Sequence, residues 1–260
     1  RVFRPIRFVI PSRKTCHPPQ GATMRKIMLL NAKGGCGKST LTTNLASYYA
    51  SQGKAVVIAD FDPQGSSMEW LEARPQDRPP IRGIAAWRDS ARVPRSTDYV
   101  IMDVPAGAHG PDLTALVRRA QTVIIPVLPS PTDIRAAAHF IHEMLVVGKI
   151  VRDETRVAVV ANRVRENSSI QNSMESVLNS MNINYATLNT QIYQNLERFL
   201  TRLKIPFVTT LRESQNYLVA DARGLGIFDL NRSQVTHDIE QWEPLLKWLD
   251  SKRSLPHPVN

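Results

Sequence analysis

At 260 residues the chain is long enough for one well-buried α/β domain and short for two. Apolar residues make up 42% and charged ones 22%, and no apolar run approaches the roughly 18–20 residues of a spanning helix, which excludes a disordered chain and a helical membrane protein. The net charge of +10 leaves nucleic acid and anionic lipid open as partners, although Arg1, Arg4, Arg7, Arg13 and Lys14 supply five of those charges and leave 10 − 5 = +5 for the rest.

Residues 1–23 hold four prolines and no acid, and their basic residues are scattered without an apolar core. They read as an extension foreign to the domain, disordered or non-native, and not as a secretory signal. Met24 reads as a start placed directly ahead of the first strand. The two cysteines, Cys16 and Cys36, offer neither a structural disulfide nor an iron–sulfur ligand set, and suit a reducing cytosol.

The apolar run Ile27-Met28-Leu29-Leu30 predicts a strand over 26–31 and Leu41–Ala50 a helix. Between them lies Asn31-Ala32-Lys33-Gly34-Gly35-Cys36-Gly37-Lys38-Ser39-Thr40. Strand, glycine loop and helix form the setting of a phosphate-binding loop. Glycines let backbone N–H groups turn inward on an anion, and the helix start faces the same anion. Lys38 can reach the β- and γ-phosphates, and Ser39 can offer its hydroxyl to Mg²⁺.

A buried strand over 54–60 then ends in Asp60-Phe61-Asp62-Pro63-Gln64-Gly65-Ser66. Acids at the carboxyl end of a strand face the ligand crevice of a doubly wound sheet. The alternative is that Asp62 only caps the following turn, ahead of Pro63. A short helix is expected over 66–73, with Trp70 and Leu71 inward. Residues 81–97 are weakly patterned and read as surface loop with one short helix. Tyr99–Asp103 is another strand ending in an acid, followed by Val104-Pro105-Ala106-Gly107.

A helix over 111–120, a strand over 122–128 and Pro129-Ser130-Pro131-Thr132-Asp133 follow. Asp133 reads as the N-cap of a helix over 134–147. A strand over 156–161 leads to Asn162, which carries a donor and an acceptor suited to an adenine edge, the alternative being a plain turn residue. Beyond it the pattern predicts a helix over 168–180, a short strand over 185–188 and a helix over 191–203. The last helix, 235–250, sets Ile239, Trp242, Leu246 and Leu249 on one stripe. Its acids Asp238, Glu240, Glu243 and Asp250 argue for docking on the domain, since a helix against anionic lipid is basic. Residues 251–260 read as a flexible tail.

The loop Lys-Gly-Gly-Cys-Gly-Lys-Ser resembles the deviant Walker A motif of the ParA/MinD family of P-loop ATPases, and the resemblance extends over about 24–250. Asp60–Gln64 is similar to the family's Asp-x-Asp-Pro-Gln, and Tyr99–Asp103 to its Walker B strand. The resemblance implies one doubly wound, mostly parallel α/β sheet flanked by helices, and an ATP hydrolase using ATP and Mg²⁺. It implies that Gly34, Gly35, Cys36, Gly37, Lys38, Ser39 and Thr40 bind the nucleotide phosphates and Asn162 the adenine. Ser39, Asp60 and Asp103 would hold the metal, and Lys33, Lys38 and Asp62 would carry catalysis. Asp62 would position the attacking water. Lys33 would reach the nucleotide of a partner subunit in an ATP-sandwich dimer.

The same resemblance implies an ATP-dependent homodimer on non-specific double-stranded DNA, a ParB- or McdB-like stimulating partner, and a cytoplasmic, nucleoid-associated location. Arg198, Arg202, Lys204, Arg212 and Arg223 are the candidate DNA contacts, because Phe207 and Thr210 stand where many partitioning members carry arginine. The short form and the Pro-Ser-Pro-Thr-Asp run are similar to orphan members that distribute protein cargo such as carboxysomes. A membrane-cycling MinD-like regulator and a dethiobiotin-synthetase-like ligase are the alternatives.

Overall fold

The first strand, β1 (Arg25–Leu29), lies at the centre of a sheet covered on both faces, which is why it reads as a continuous apolar run. The computed structural model describes residues 24–88, 92–108, 110–147, 155–165, 198, 200, 201 and 204–256. Successive side chains of β1 serve different cores. Met28 and Leu30 pack with Val100, Val123 and Phe140, and Ile27 and Leu29 with Leu41, Leu45 and Trp242.

Among the described residues the other strands are β2 (Val56–Asp60), β3 (Ile81–Ala85), β4 (Tyr99–Asp103), β5 (Thr122–Val127), β6 (Arg156–Val164) and β7 (Phe207–Arg212). All seven run parallel in the order β3-β2-β4-β1-β5-β6-β7. Parallel neighbours need crossovers. These include α1 (Lys38–Ser51), α2 (Ser66–Glu72), α3 (Gly110–Val117) and α4 (Pro131–His142), the last continued by a π-helical turn over Glu143–Val147. From β1 the chain moves to β2 on one side and later to β5 on the other. The crevice outside the carboxyl ends of β1, β4 and β2 is therefore the ligand position of such a sheet.

Among the described residues, β7 is followed by the α-helices α5 (Gln215–Asp221) and α6 (Arg232–Leu249). The expected stripe of α6 packs inward, with Trp242, Leu246 and Leu249 buried and Val235 and Leu245 beside them. Thr209 donates to the Gln241 carbonyl (2.6 Å), and the Arg212 N–H donates to the Gln241 side chain (2.7 Å), so α6 is fastened along β7.

Three expectations need correction. The region 81–97, read as loop with a short helix, contributes the edge strand β3. An edge strand buries little, and only Ile84 of β3 is fully buried, so the alternation that marks strands is weak. Gly83 adds to this. A Cβ there would come within 2.6 Å of Met68, whose side chain fills the space. Second, the N-cap of α4 is Ser130, whose hydroxyl accepts from the Asp133 N–H at 3.1 Å. Asp133 stands in the first turn instead, where its charge suits the helix dipole. Third, part of the expected tail is fastened. Lys252–Ser254 form a 3-10 turn, and buried Ser254 accepts from Arg25 at 2.8 Å. The elements expected over 168–180 and 185–188 lie outside the described residues. Of the helix expected over 191–203, Arg198, Leu200 and Thr201 are described, and all three are helical.

Candidate nucleotide-binding site

The loop after β1 has the backbone that phosphate binding demands. Gly35 (φ 72°) and Gly37 (φ 94°) occupy the left-handed region, where a side chain would be strained. Gly37 is also the N-cap of α1. A Cβ on Gly37 would lie 2.1 Å from the Asn162 amide nitrogen, which donates to the Cys36 carbonyl at 2.8 Å. Asn31 braces the loop start by donating to the Pro126 carbonyl (2.7 Å) and accepting from the Lys33 N–H (3.1 Å). The Cys36 thiol is buried against the Lys33 carbonyl (3.3 Å), and burial pushes its titration up.

Lys38 is buried and donates to the Lys33 carbonyl at 3.3 Å, so its ammonium lies over the loop. Lys33 points elsewhere. Its ammonium pairs with Asp133 at 2.5 Å, from the first turn of α4. Burial opposes a charge on Asp133, but hydrogen bonds from Lys33 and Ser130 outweigh it and hold the carboxyl below its ordinary range.

Register places two acids side by side, since Asp60 of β2 and Asp103 of β4 are direct partners at the strand ends. Both are buried. Asp60 Oδ1 accepts from the Asp62 N–H at 2.9 Å, while Asp60 Oδ2 is buried with no hydrogen-bond partner. Burial, with the charges of Asp103 and Asp62, pushes the Asp60 carboxyl up to about 6, against the N–H groups of Asp62 and Ser67. Asp103 Oδ2 accepts from Ser67 at 2.5 Å. Burial raises Asp103 as well, against hydrogen bonds from Ser67 and Ser39 and the charge of Lys38. The oxygen donors Ser39, Asp60 and Asp103, with one orphaned carboxylate oxygen, match the hard ligand set a magnesium ion takes. Asp62 is half-buried and accepts from the Gln64 N–H at 3.0 Å, so it does close the following turn.

The structure thus brings Lys38, Ser39, Asp60 and Asp103 to one crevice, with Asp62 on the loop beside it and Asn162 beneath the phosphate loop. Asp133 as the partner of Lys33, and Ser67 as the partner of Asp103, had no signal in the sequence beyond polar residues at helix starts. The DNA candidates are not one cluster. Arg212 is committed to buried Asp238 at 2.6 Å. Arg223 is exposed in the turn after α5, beside the Gly224 that packs on Ala73 and Arg74. Arg198 is exposed, and Arg202 lies outside the described residues. Lys204 lines a cavity of about 490 Å³ with Arg156, Lys252, Arg253 and Trp248.

Residues 27–227 match the model of the CobQ/CobB/MinD/ParA nucleotide-binding domain. The chain belongs to this nucleotide-binding family. Among relatives within the family, the maintenance of carboxysome distribution protein A of Halothiobacillus neapolitanus is 24% identical over 65% of this chain and 82% of that protein. Its namesake in Gloeobacter kilaueensis is 30% identical over 48% of this chain and 58% of that protein. A solved structure of a Cyanothece McdA variant with ATP superposes with a TM-score of 0.61 at 15% identity, covering 92% of this chain and 100% of that one. At that identity the likeness is one of fold. Among the described residues no helix of this family member is long and apolar enough to cross a membrane.

Proposed function

We propose that this chain is a Mg²⁺-dependent ATPase that dimerises around ATP, binds duplex DNA without sequence preference in that state, and distributes a protein cargo over the nucleoid. The observation that carries the reading is the convergence of Lys38 and Ser39 after β1, Asp60 at the end of β2 and Asp103 at the end of β4 in one crevice. In phosphoryl transfer, positioning and electrostatics do most of the work, and these residues are suited to both.

The glycine loop presents N–H groups and the start of α1 to the phosphates, and Lys38 adds a positive charge held over the loop. Magnesium held by Ser39, Asp103 and Asp60 would neutralise charge building on the transferred phosphoryl group. Asp62 aligns the attacking water from its turn beside Asp60. Lys33 is exchanged from Asp133 to the phosphates of the second subunit, which joins dimerisation to ATP.

The DNA component is supported by the excess of positive charge and by Arg156, Lys204, Lys252 and Arg253 around one cavity. Among the described lining residues there is no carboxylate. It lies at the amino ends of β6 and β7, away from the phosphate loop. The cargo component is supported by likeness to proteins named for carboxysome distribution. A McdB- or ParB-like partner would then trigger hydrolysis.

The test is size-exclusion chromatography with light scattering, with ATP and Mg²⁺. The wild type dimerises transiently, Asp62→Ala holds the dimer, and Lys38→Ala stays monomeric. A monomeric Asp62→Ala protein that binds ATP normally would remove the sandwich dimer from the account.

A further inference from the structure

Ser67 is the second residue of α2 and is fully buried, whereas its neighbour Ser66 is exposed. A serine near a helix start ordinarily bonds to nearby backbone. Ser67 instead donates to Asp103 Oδ2, 36 residues away in sequence, at 2.5 Å. Its backbone N–H also helps to lower the titration of the other strand-end acid, Asp60.

We infer that Ser67 is a positioning residue for the divalent cation, fixing the Asp103 carboxylate in the orientation that faces Ser39 and the metal. The inference rests on the reading that Ser39, Asp60 and Asp103 hold that cation. A carboxylate at a strand end can rotate about its last bond. A hydrogen bond to one oxygen fixes the rotation and leaves the direction of the other defined, which is how outer residues tune a metal site. Asp60 is fixed in the same manner, through Oδ1 and the Asp62 N–H, and keeps Oδ2 free of partners.

The mount that carries Ser67 is itself rigid. Farther along α2, Trp70 donates to the Leu225 carbonyl at 3.2 Å. Just beyond its end, Arg74 pairs with Asp229 at 2.9 Å, both side chains buried. A hydroxyl on such a mount holds its acceptor rather than following it. Because the Asp62–Gly65 loop leads directly into α2, the same bond also joins the loop bearing Asp62 to the metal-facing acid.

The experiment is the Mg²⁺ dependence of ADP binding by the whole chain, followed with a fluorescent ADP analogue from EDTA to saturating Mg²⁺. Ser67→Ala raises the Mg²⁺ midpoint about tenfold and leaves affinity in EDTA unchanged. Ser66→Ala changes neither, and Ser67→Thr, which keeps the hydroxyl, returns the midpoint toward wild type. Ser67→Cys, close in size but a poor donor, gives the same rise and serves if the alanine variant fails to fold. A wild-type midpoint in both Ser67→Ala and Ser67→Cys overturns the inference. So does an equal loss of affinity in EDTA and in Mg²⁺, since that marks a structural role. If wild-type ADP affinity ignores Mg²⁺, the metal reading beneath the inference fails, and the inference with it.

Discussion

Lys33 and Asp133 form an ion pair of 2.5 Å that holds the first lysine of the phosphate loop against α4 of its own subunit. Lys33 is 43% exposed, so solvent screens the pair and its worth to stability is about 0–1 kcal/mol. In the proposed sandwich dimer its effect falls on dimerisation, because Lys33 would have to leave Asp133 to reach a second subunit. Asp133→Asn keeps the helix-start geometry and weakens the hold. The ATP concentration for half-maximal dimerisation falls by about 2–5-fold, the equivalent of about 0.5–1 kcal/mol. Light scattering across an ATP titration checks it, and an unchanged or higher threshold counts against a role for this pair. Since the Asp133 carboxyl sits below its ordinary range, the pair persists at neutral pH and is lost only as pH falls through that lowered value.

Asp60 couples function to a cost in stability. An Asp carboxyl titrates near 3.8 in an unfolded chain, and burial holds that of Asp60 up to about 6 in the fold. Between those values the folded form binds more protons, so stability falls as pH rises and the full cost stands above pH 6. That cost is about 2–3 kcal/mol, since each pH unit between the folded and unfolded titrations is worth about 1.4 kcal/mol. Asp60→Asn therefore raises the melting temperature of the metal-free protein at pH 7.5, with less gain at pH 4, and abolishes Mg²⁺-dependent turnover. A lower melting temperature at pH 7.5 contradicts the assignment.

Gly37→Ala meets two obstacles, a φ of 94° and the Asn162 amide 2.1 Å from the new Cβ. The backbone strain alone costs about 1–3 kcal/mol, and the loop gives up its shape to relieve it. Calorimetry finds no ATP binding, while circular dichroism finds the helices intact. Normal ATP affinity would mean that the loop shape is not the binding shape.

If the proposed DNA surface is the cationic cavity, its residues and the committed arginines respond differently to substitution. Lys204→Ala and Arg253→Ala each reduce the salt slope of DNA binding by about 1, as loss of one phosphate contact does. Arg212→Ala lowers stability instead, by leaving Asp238 buried without its cation. DNA binding by folded Arg212→Ala keeps the wild-type slope. Equal slopes in all three variants would move the DNA surface elsewhere.

What was legible in the sequence follows from how each residue is constrained. Gly35 and Gly37 could be read because their backbone angles admit little else, and the strand-end places of Asp60 and Asp103 because each closes a continuous apolar run of a buried parallel strand. Strand β3 was hidden because its register demands Gly83 under Met68, which erases the alternation. Ser67 and Asp133 were hidden for a different reason. Their roles depend on which way a polar side chain turns at a helix start, and Ser66 and Ser67 look alike until α2 is packed. Arg212 looked like a free cation because its partner, Asp238, lies on another element, α6, and only the packing of that helix on β7 brings them together.

The most direct test is retention of the purified protein on non-specific duplex DNA with ATP, ADP or no nucleotide, across a salt series. The account predicts retention with ATP alone, weakening as salt rises because phosphate contacts release counterions. Retention that is equal in every nucleotide state, or absent from a protein that still binds ATP, would contradict it.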